Sequence, residues 1–290
     1  MNIYVCNVVR YTAQTANKMI NLGLAKKRRV GAVSAFADAR LAAGHVAFPM
    51  SQLVKETSLT VSAARSQLHR LGHKIVRVSK AHPFFLIVSP EHFSRGSPPV
   101  DSWLDDYFLW LGHPYYLALQ SAASAHGSNP QSIQVIQVMT DTPRRPLTVG
   151  QLHVTFFVKR RIRDTPTQQL LNAFAPTRVS TPAATAFDLI RYATRIGGIG
   201  RAVETLRPLL PLIDQTALRA VLEAEDEVAT AQRLGYVLDK TGKAKLAAVV
   251  ENWLPAKRPT IMLATTSASR PAGPVDLPWR IVDNSGEFQS

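Results

Sequence analysis

Ser62, Arg65, Ser66, His69 and Arg70 recur at spacings of three and four. On an α-helix such positions share one side. Their common chemistry is hydrogen bonding to nucleic acid. An arginine pairs bidentately with guanine, and serine and histidine bond to bases or phosphate oxygens. Thr60 stands where a helix cap belongs, and a helix N-terminus itself favours a phosphate. Lys74, Arg77, Lys80 and His82 follow closely. They are placed to hold a sugar-phosphate strand, a salt-sensitive contact that gives affinity without reading sequence. The plainer readings of the same residues are a solvated helix face or a protein-docking module.

A catalytic constellation does not assemble. Gly127-Ser128 followed by an apolar run ending at Asp141 resembles the start of a nucleotidyl-transfer site. Thr142 and Pro143 come next, so the second carboxylate that two metals need is absent. Gly127-Ser128 is then read as a helix stop and a turn. Glu223, Glu225, Asp226 and Glu227 form a carboxylate group that reads as a solvated helix end, with metal binding as the alternative. The eight histidines show no metal-ligand spacing, and the single cysteine, Cys6, allows neither an intrachain disulfide nor a cysteine zinc cluster. Gly197-Gly198-Ile199-Gly200 lacks the Lys-Ser/Thr of a phosphate loop. The expectation is no catalytic residue, no metal and no cofactor. Lys159, Arg160, Arg161 and Arg163 form a second basic run, read either as a bland surface or as a face that extends the DNA surface, contacts RNA or meets an acidic partner protein.

The elements that must position the first set are legible. A helix is predicted from about Val30 to Ala43, then a short strand at His45–Phe48 and a helix at Gln52–Glu56. Thr60 caps a third helix over Val61–Leu71, with Val61, Ala64, Leu68 and Leu71 on its apolar side and Gly72 ending it. Ile75–Val78 and Phe84–Val88 are strand candidates joined by a turn carrying Lys80 and His82. Two short helices with a tight turn and a following hairpin make the layout of a winged helix-turn-helix.

Charge divides the chain in the same way. The protein has 290 residues and a formal charge of +14. Between Leu24 and Val100 there are twelve basic against three acidic residues, whereas Asp101 to Pro255 holds sixteen against fourteen. Only the first region is suited to a polyanion. The expected organisation is a basic N-terminal arm at 1–28 and a winged helix-turn-helix domain at 29–96. A boundary at Ser94–Pro99 precedes a larger domain at 100–255, and a Pro/Ser/Thr-rich, largely disordered tail follows at 256–290. No run of about eighteen apolar residues suggests a membrane span, and the first thirty residues lack a signal peptide's apolar core. A reducing, cytoplasmic setting without membrane contact fits.

The larger domain reads as α+β, a small mixed sheet with helices around it. Tyr115–Gly127 is predicted helical and Ile133–Thr140 a buried strand. Leu147–Lys159 reads as further strands, and Ala183–Tyr192, Gly200–Leu210, Gln215–Glu223 and Val228–Leu238 as helices. The stretches PYYLALQSAASAHG, QVIQVMTD, LTVGQLHVTFFVKR, VSTPAATAFDLIRY, GGIGRAVETLRPLL and QRLGYVLD occur here in order. In them the chain resembles the AbiEi antitoxins of type IV toxin–antitoxin systems, from about His45 to Leu254. Members often carry a glycine before the aromatic pair of the wing, where this chain has His82-Pro83. The resemblance implies an N-terminal winged helix and a C-terminal antitoxin domain. It also implies repression of the protein's own operon through operator DNA, and neutralisation of an AbiEii-like nucleotidyltransferase toxin. The alternatives are a stand-alone regulator with a sensing second domain, and a DNA-targeted nuclease.

Overall fold

The computed structural model describes residues 31–128, 135–171, 175–265 and 273–288. The basic arm at 1–28 lies outside them. The chain divides into two compact units. One runs to Asp106 and takes in Val149–Gln151; the other comprises Tyr107–Thr148 and everything from Leu152 onward. Both mix helices with small sheets.

In the first unit α1 (Ala32–Ala42), β1 (Ala47–Pro49), α2 (Met50–Thr57) and α3 (Val61–Leu71) precede β2 (Ile75–Arg77) and β3 (Phe84–Ile87). The three strands form a sheet in the order β1-β3-β2, with β3 antiparallel to both neighbours. Its core gathers Val33, Phe36, Phe48, Leu53, Leu68 and Phe85. Phe48 stacks on Phe85 and receives the edge of Phe36. α3 starts where its cap predicts, because Thr60 Oγ1 accepts the amide of Ala63 at 3.2 Å. It ends at Gly72, whose φ of 54° suits a residue without a Cβ. Val61, expected on the apolar side, is 43% exposed, and Ala64 and Leu68 carry the burial instead. Val61 heads the first turn, where no preceding turn covers it. Ser94–Pro99, expected as a boundary, is partly packed: Ser97 and Pro98 are buried.

In the second unit, after α4 (Leu104–Leu111), a six-stranded sheet is built from β4 (Tyr115–Leu117), β5 (Val135–Thr140), β6 (Leu147–Val149), β7 (Leu152–Val158), β8 (Thr167–Leu171) and β9 (Pro176–Ser180). Its order is β6-β7-β5-β4-β9-β8. β5 runs parallel to β7, β4 antiparallel to β5 and parallel to β9. The helices are α5 (Leu119–Ala125), α6 (Pro182–Arg191), α7 (Ile199–Leu206), α8 (Gln215–Glu225), α9 (Val228–Lys240) and α10 (Ala244–Trp253). α6 is central and touches α5, α7, α8 and α9. Every residue from Ala183 to Ile190 is buried, as a helix surrounded by neighbours must be. Thr181 caps it and Pro182 opens it with its fixed φ.

Two expectations are corrected here. Tyr115–Leu117 is an inner strand rather than the start of a helix. All three side chains are buried, and so short an apolar run fits both periods. Leu119, with a φ of 53°, turns the chain from strand into the shorter α5. The chain after Pro255 is also structured in its described residues. β10 (Ile261–Met262) and β11 (Val275–Asp276) flank β12 (Ile281–Val282), and Trp279 and Ile281 are buried in the main core of this unit. A few large apolar residues suffice to anchor a segment whose average composition is polar. Among the described residues no helix is long and apolar enough to cross a membrane.

Candidate nucleic-acid interface

The outward side of α3 carries Ser62, Ser66 and His69, all exposed. Arg65 and Arg70 flank this side, about 140° apart around the axis at 100° per residue. Arg65 faces the hairpin: with His69 it borders a groove of about 310 Å³ between α3 and the sheet. Met50, Leu68, Ile75, Pro83 and Phe85 line its apolar part, and Arg77 closes the rim opposite.

Of the ten residues singled out in the sequence, Thr60, Ser62, Arg65, Ser66, His69, Arg70, Lys74, Arg77 and Lys80 are exposed and His82 is half-buried. Local bonds prepare several of them. The Ser66 hydroxyl donates to the carbonyl of Ser62 at 3.1 Å, and Arg70 Nε donates to the carbonyl of Ser66 at 3.2 Å, which lays that guanidinium along the helix. Arg77 Nε donates to the carbonyl of His82 at 3.0 Å and closes the hairpin turn, leaving its remaining donors available. The Thr60 hydroxyl oxygen is engaged as the cap. Gln67, on the inner flank of α3, accepts the amide of Val33 at 3.1 Å and fixes α3 against the start of α1.

The electrostatics are one-sided. Among the described residues Arg65, Arg70, Lys74, Arg77 and Lys80 have no acidic partner within 4.0 Å. Glu56 accepts instead from Gln52, and Glu91 from Ser89. A set of cations without counter-charges among the described residues, around one helix and one turn, gives this face a positive potential that a polyanion could neutralise.

The second basic run divides differently. Arg160, Arg161 and Arg163 are exposed, and Arg161 pairs with Asp164 at 2.9 Å. Lys159 is not a surface residue. Its side chain is 1% exposed, with Nζ 2.7 Å from Asp188 and 2.6 Å from Glu225. At the end of β7, strand alternation turns it inward, to carboxylates supplied by α6 and by the end of α8. Tyr116 donates to Asp188 at 2.8 Å and Thr165 donates to Glu225 at 2.8 Å. Arg191 bridges Glu225 and Glu227 from the solvent side. The carboxylate group at 223–227 is therefore not merely a solvated helix end. Glu225 is buried and neutralised, and the group lies at the C-terminal end of α8, where Asp226 takes a left-handed conformation.

Asp141 meets His113 Nδ1 at 2.8 Å. Burial pushes its carboxyl upward, but the bonds from His113 and Thr142 and the charge of His113 outweigh that and hold it below the usual range. Gly127, with φ 86°, ends α5, and the Ser128 hydroxyl donates to the carbonyl of Thr205. No three His, Cys, Asp or Glu side chains among the described residues converge as a metal site.

Residues 116–240 match the family model of the AbiEi antitoxin C-terminal domain. The fold resembles the crystal structure of the RV2827C protein from Mycobacterium tuberculosis, at 16% identity over 87% of this chain and 91% of that one, with a TM-score of 0.62. An antigenic nucleotidyltransferase-like protein from Paracoccidioides brasiliensis is more distant: 10% identity, 52% of this chain, 90% of that one, and a TM-score of 0.34. No curated protein matches the chain.

Proposed function

We propose, with residues 116–240 as an AbiEi antitoxin C-terminal domain, that this protein is the antitoxin of a toxin–antitoxin system and the DNA-binding repressor of its own operon. The first unit acts as a winged helix-turn-helix: α3 enters the major groove and the β2–β3 turn rides the adjacent backbone. The observation that carries this reading is the cation set around α3 and the turn, which has no acidic partner among the described residues, on a side where Ser62, Ser66 and His69 point outward. Ser62, Ser66 and Arg70 address base edges. Arg65, Lys74, Arg77 and Lys80 address phosphates, with Thr60, His69 and His82 beside them.

The second unit serves neutralisation of a toxin, for which an AbiEii-like nucleotidyltransferase is the proposed partner. It acts without breaking bonds itself. Its buried acids, Asp188 and Glu225, are held by Lys159, and Asp141 is held by His113. Arg160, Arg161 and Arg163 provide an exposed basic face for an acidic partner surface.

The test separates the two roles. Duplex binding to the protein's own upstream region is measured by fluorescence anisotropy for the parent chain and for Arg65→Ala with Arg70→Ala, alongside rescue of growth from a co-expressed AbiEii-like toxin. The double variant is expected to lose operator binding and keep rescue. Normal operator binding by that variant would reject the assignment of α3.

A further inference from the structure

The groove between α3 and the hairpin has two chemistries in one cavity. Its rim is cationic: Arg65 and His69 stand on the helix side and Arg77 on the strand side. Its floor is apolar, made by Leu68, Ile75 and Phe85, each only 7–8% exposed. A phosphodiester strand crossing the surface needs the rim alone. A recessed apolar floor beneath a cationic rim instead fits a ligand with an apolar body and one anionic end. The volume of about 310 Å³ lies at the small end of ligand pockets, which suits a single flat ring system rather than a nucleotide.

We propose that this groove binds a small aromatic carboxylate. The ring lies on Leu68, Ile75 and Phe85, and the carboxylate accepts hydrogen bonds from Arg65 and from the donors of Arg77 left over by the His82 carbonyl. Neither guanidinium has an acidic partner in the described residues, so the anion completes the site rather than competing for it. A consequence rests on the DNA-binding reading above. An occupied groove withdraws Arg65 and Arg77 from the phosphate backbone, so ligand and duplex exclude one another.

Indole-3-carboxylate is the probe, titrated into the full chain by calorimetry and by ligand-observed NMR, with indole-3-carboxamide and inorganic phosphate as the uncharged and the ring-free controls. Saturable binding is expected, at least about tenfold tighter than either control, since one charged bidentate pair is worth about that much. Arg65→Gln with Arg77→Gln, both exposed positions, should weaken the probe about tenfold or more. Arg70→Gln, on the far flank of α3, should leave the probe unaffected while weakening duplex binding. Equal affinity for the carboxamide, or an unchanged affinity in the double variant with a native circular dichroism spectrum, overturns the site. Duplex binding without any probe binding likewise overturns it and leaves the DNA reading standing. Probe binding without duplex binding keeps the site and removes the DNA reading.

Discussion

Lys159 Nζ and Glu225 Oε1 stand 2.6 Å apart, with both side chains sealed from solvent. Asp188, 2.7 Å from the same ammonium on its other side, makes the group a triad. The ammonium also donates to the Tyr116 hydroxyl at 3.2 Å. The end of β7, the middle of α6 and the end of α8 meet at this point, three elements distant in sequence. Removing three charges from water is costly, and the cost is offset only while every charge keeps its partners. The triad therefore fixes one arrangement of these elements more than it adds stability.

Lys159→Met should expose that cost. Two carboxylates would remain buried beside one partly exposed arginine, Arg191, and the loss should reach about 3–5 kcal/mol. Replacing Lys159, Asp188 and Glu225 together with apolar residues of similar volume should recover most of it. Guanidinium chloride midpoints for the two variants check this. A single variant within about 1 kcal/mol of the parent, or a triple variant no better than the single, would contradict the argument.

Alkaline pH should destabilise the second unit. Burial raises the hydroxyls of Tyr107 and Tyr192 to about 12, only partly countered by Arg144 and Arg191 respectively. Tyr116 is also pushed well up, first by burial and then by Asp188. The unfolded chain releases these protons near pH 10 while the folded chain retains them to about 12, so stability is whole below about pH 10 and falls as pH rises from there. Phenolate absorbance recorded alongside the urea midpoint checks the sign. A midpoint constant from pH 9 to 12 would refute it.

The sequence made the first unit legible because its elements are local. α3 needed only a cap, a three-four apolar spacing and a stop, and Thr60, Leu68 and Gly72 supply them. Lys159 misleads in the sequence because a basic tetrad of sequence neighbours looks like surface, whereas its partners Asp188 and Glu225 are supplied by distant helices. Tyr115–Leu117 was ambiguous for a related reason. Three buried apolar residues carry no period, and only their pairing with β5 and β9 makes them a strand. The segment after Pro255 hid its order because its few apolar anchors, Leu263, Ile281 and above all Trp279, stand in polar surroundings.

That anchor has a specific seat. A Cβ on Gly235 would overlap the six-membered ring of Trp279, whose indole N–H donates to Asp239 at 3.1 Å. Gly235→Ala gains about 1 kcal/mol of helix propensity in α9 and loses about 1–3 kcal/mol to overpacking. Trp279 is 2% exposed and has little room to retreat, so the loss should win. Faster limited proteolysis in the described residues after Pro255, with a red-shifted tryptophan emission, is the expected result. A variant as protease-resistant as the parent would show that the ring is accommodated elsewhere.

Salt dependence distinguishes the cations from the serines around α3. Each lysine or arginine that neutralises a phosphate releases counterions and contributes about −0.9 to the slope of log affinity against log salt. Lys74→Gln and Lys80→Gln, both exposed and without acidic partners among the described residues, should each flatten that slope by about 0.9 and weaken all duplexes alike. Ser62→Ala should leave the slope unchanged and reduce the preference for operator over unrelated duplex, because in the proposed docking the exposed Ser62 hydroxyl meets base edges and releases no ions. Its loss should cost about 1 kcal/mol of discrimination. Anisotropy titrations at several salt concentrations on both duplexes measure slope and preference together. If the lysine variants keep the parent slope, the hairpin turn does not lie on the phosphate backbone, and α3 would have to dock without it.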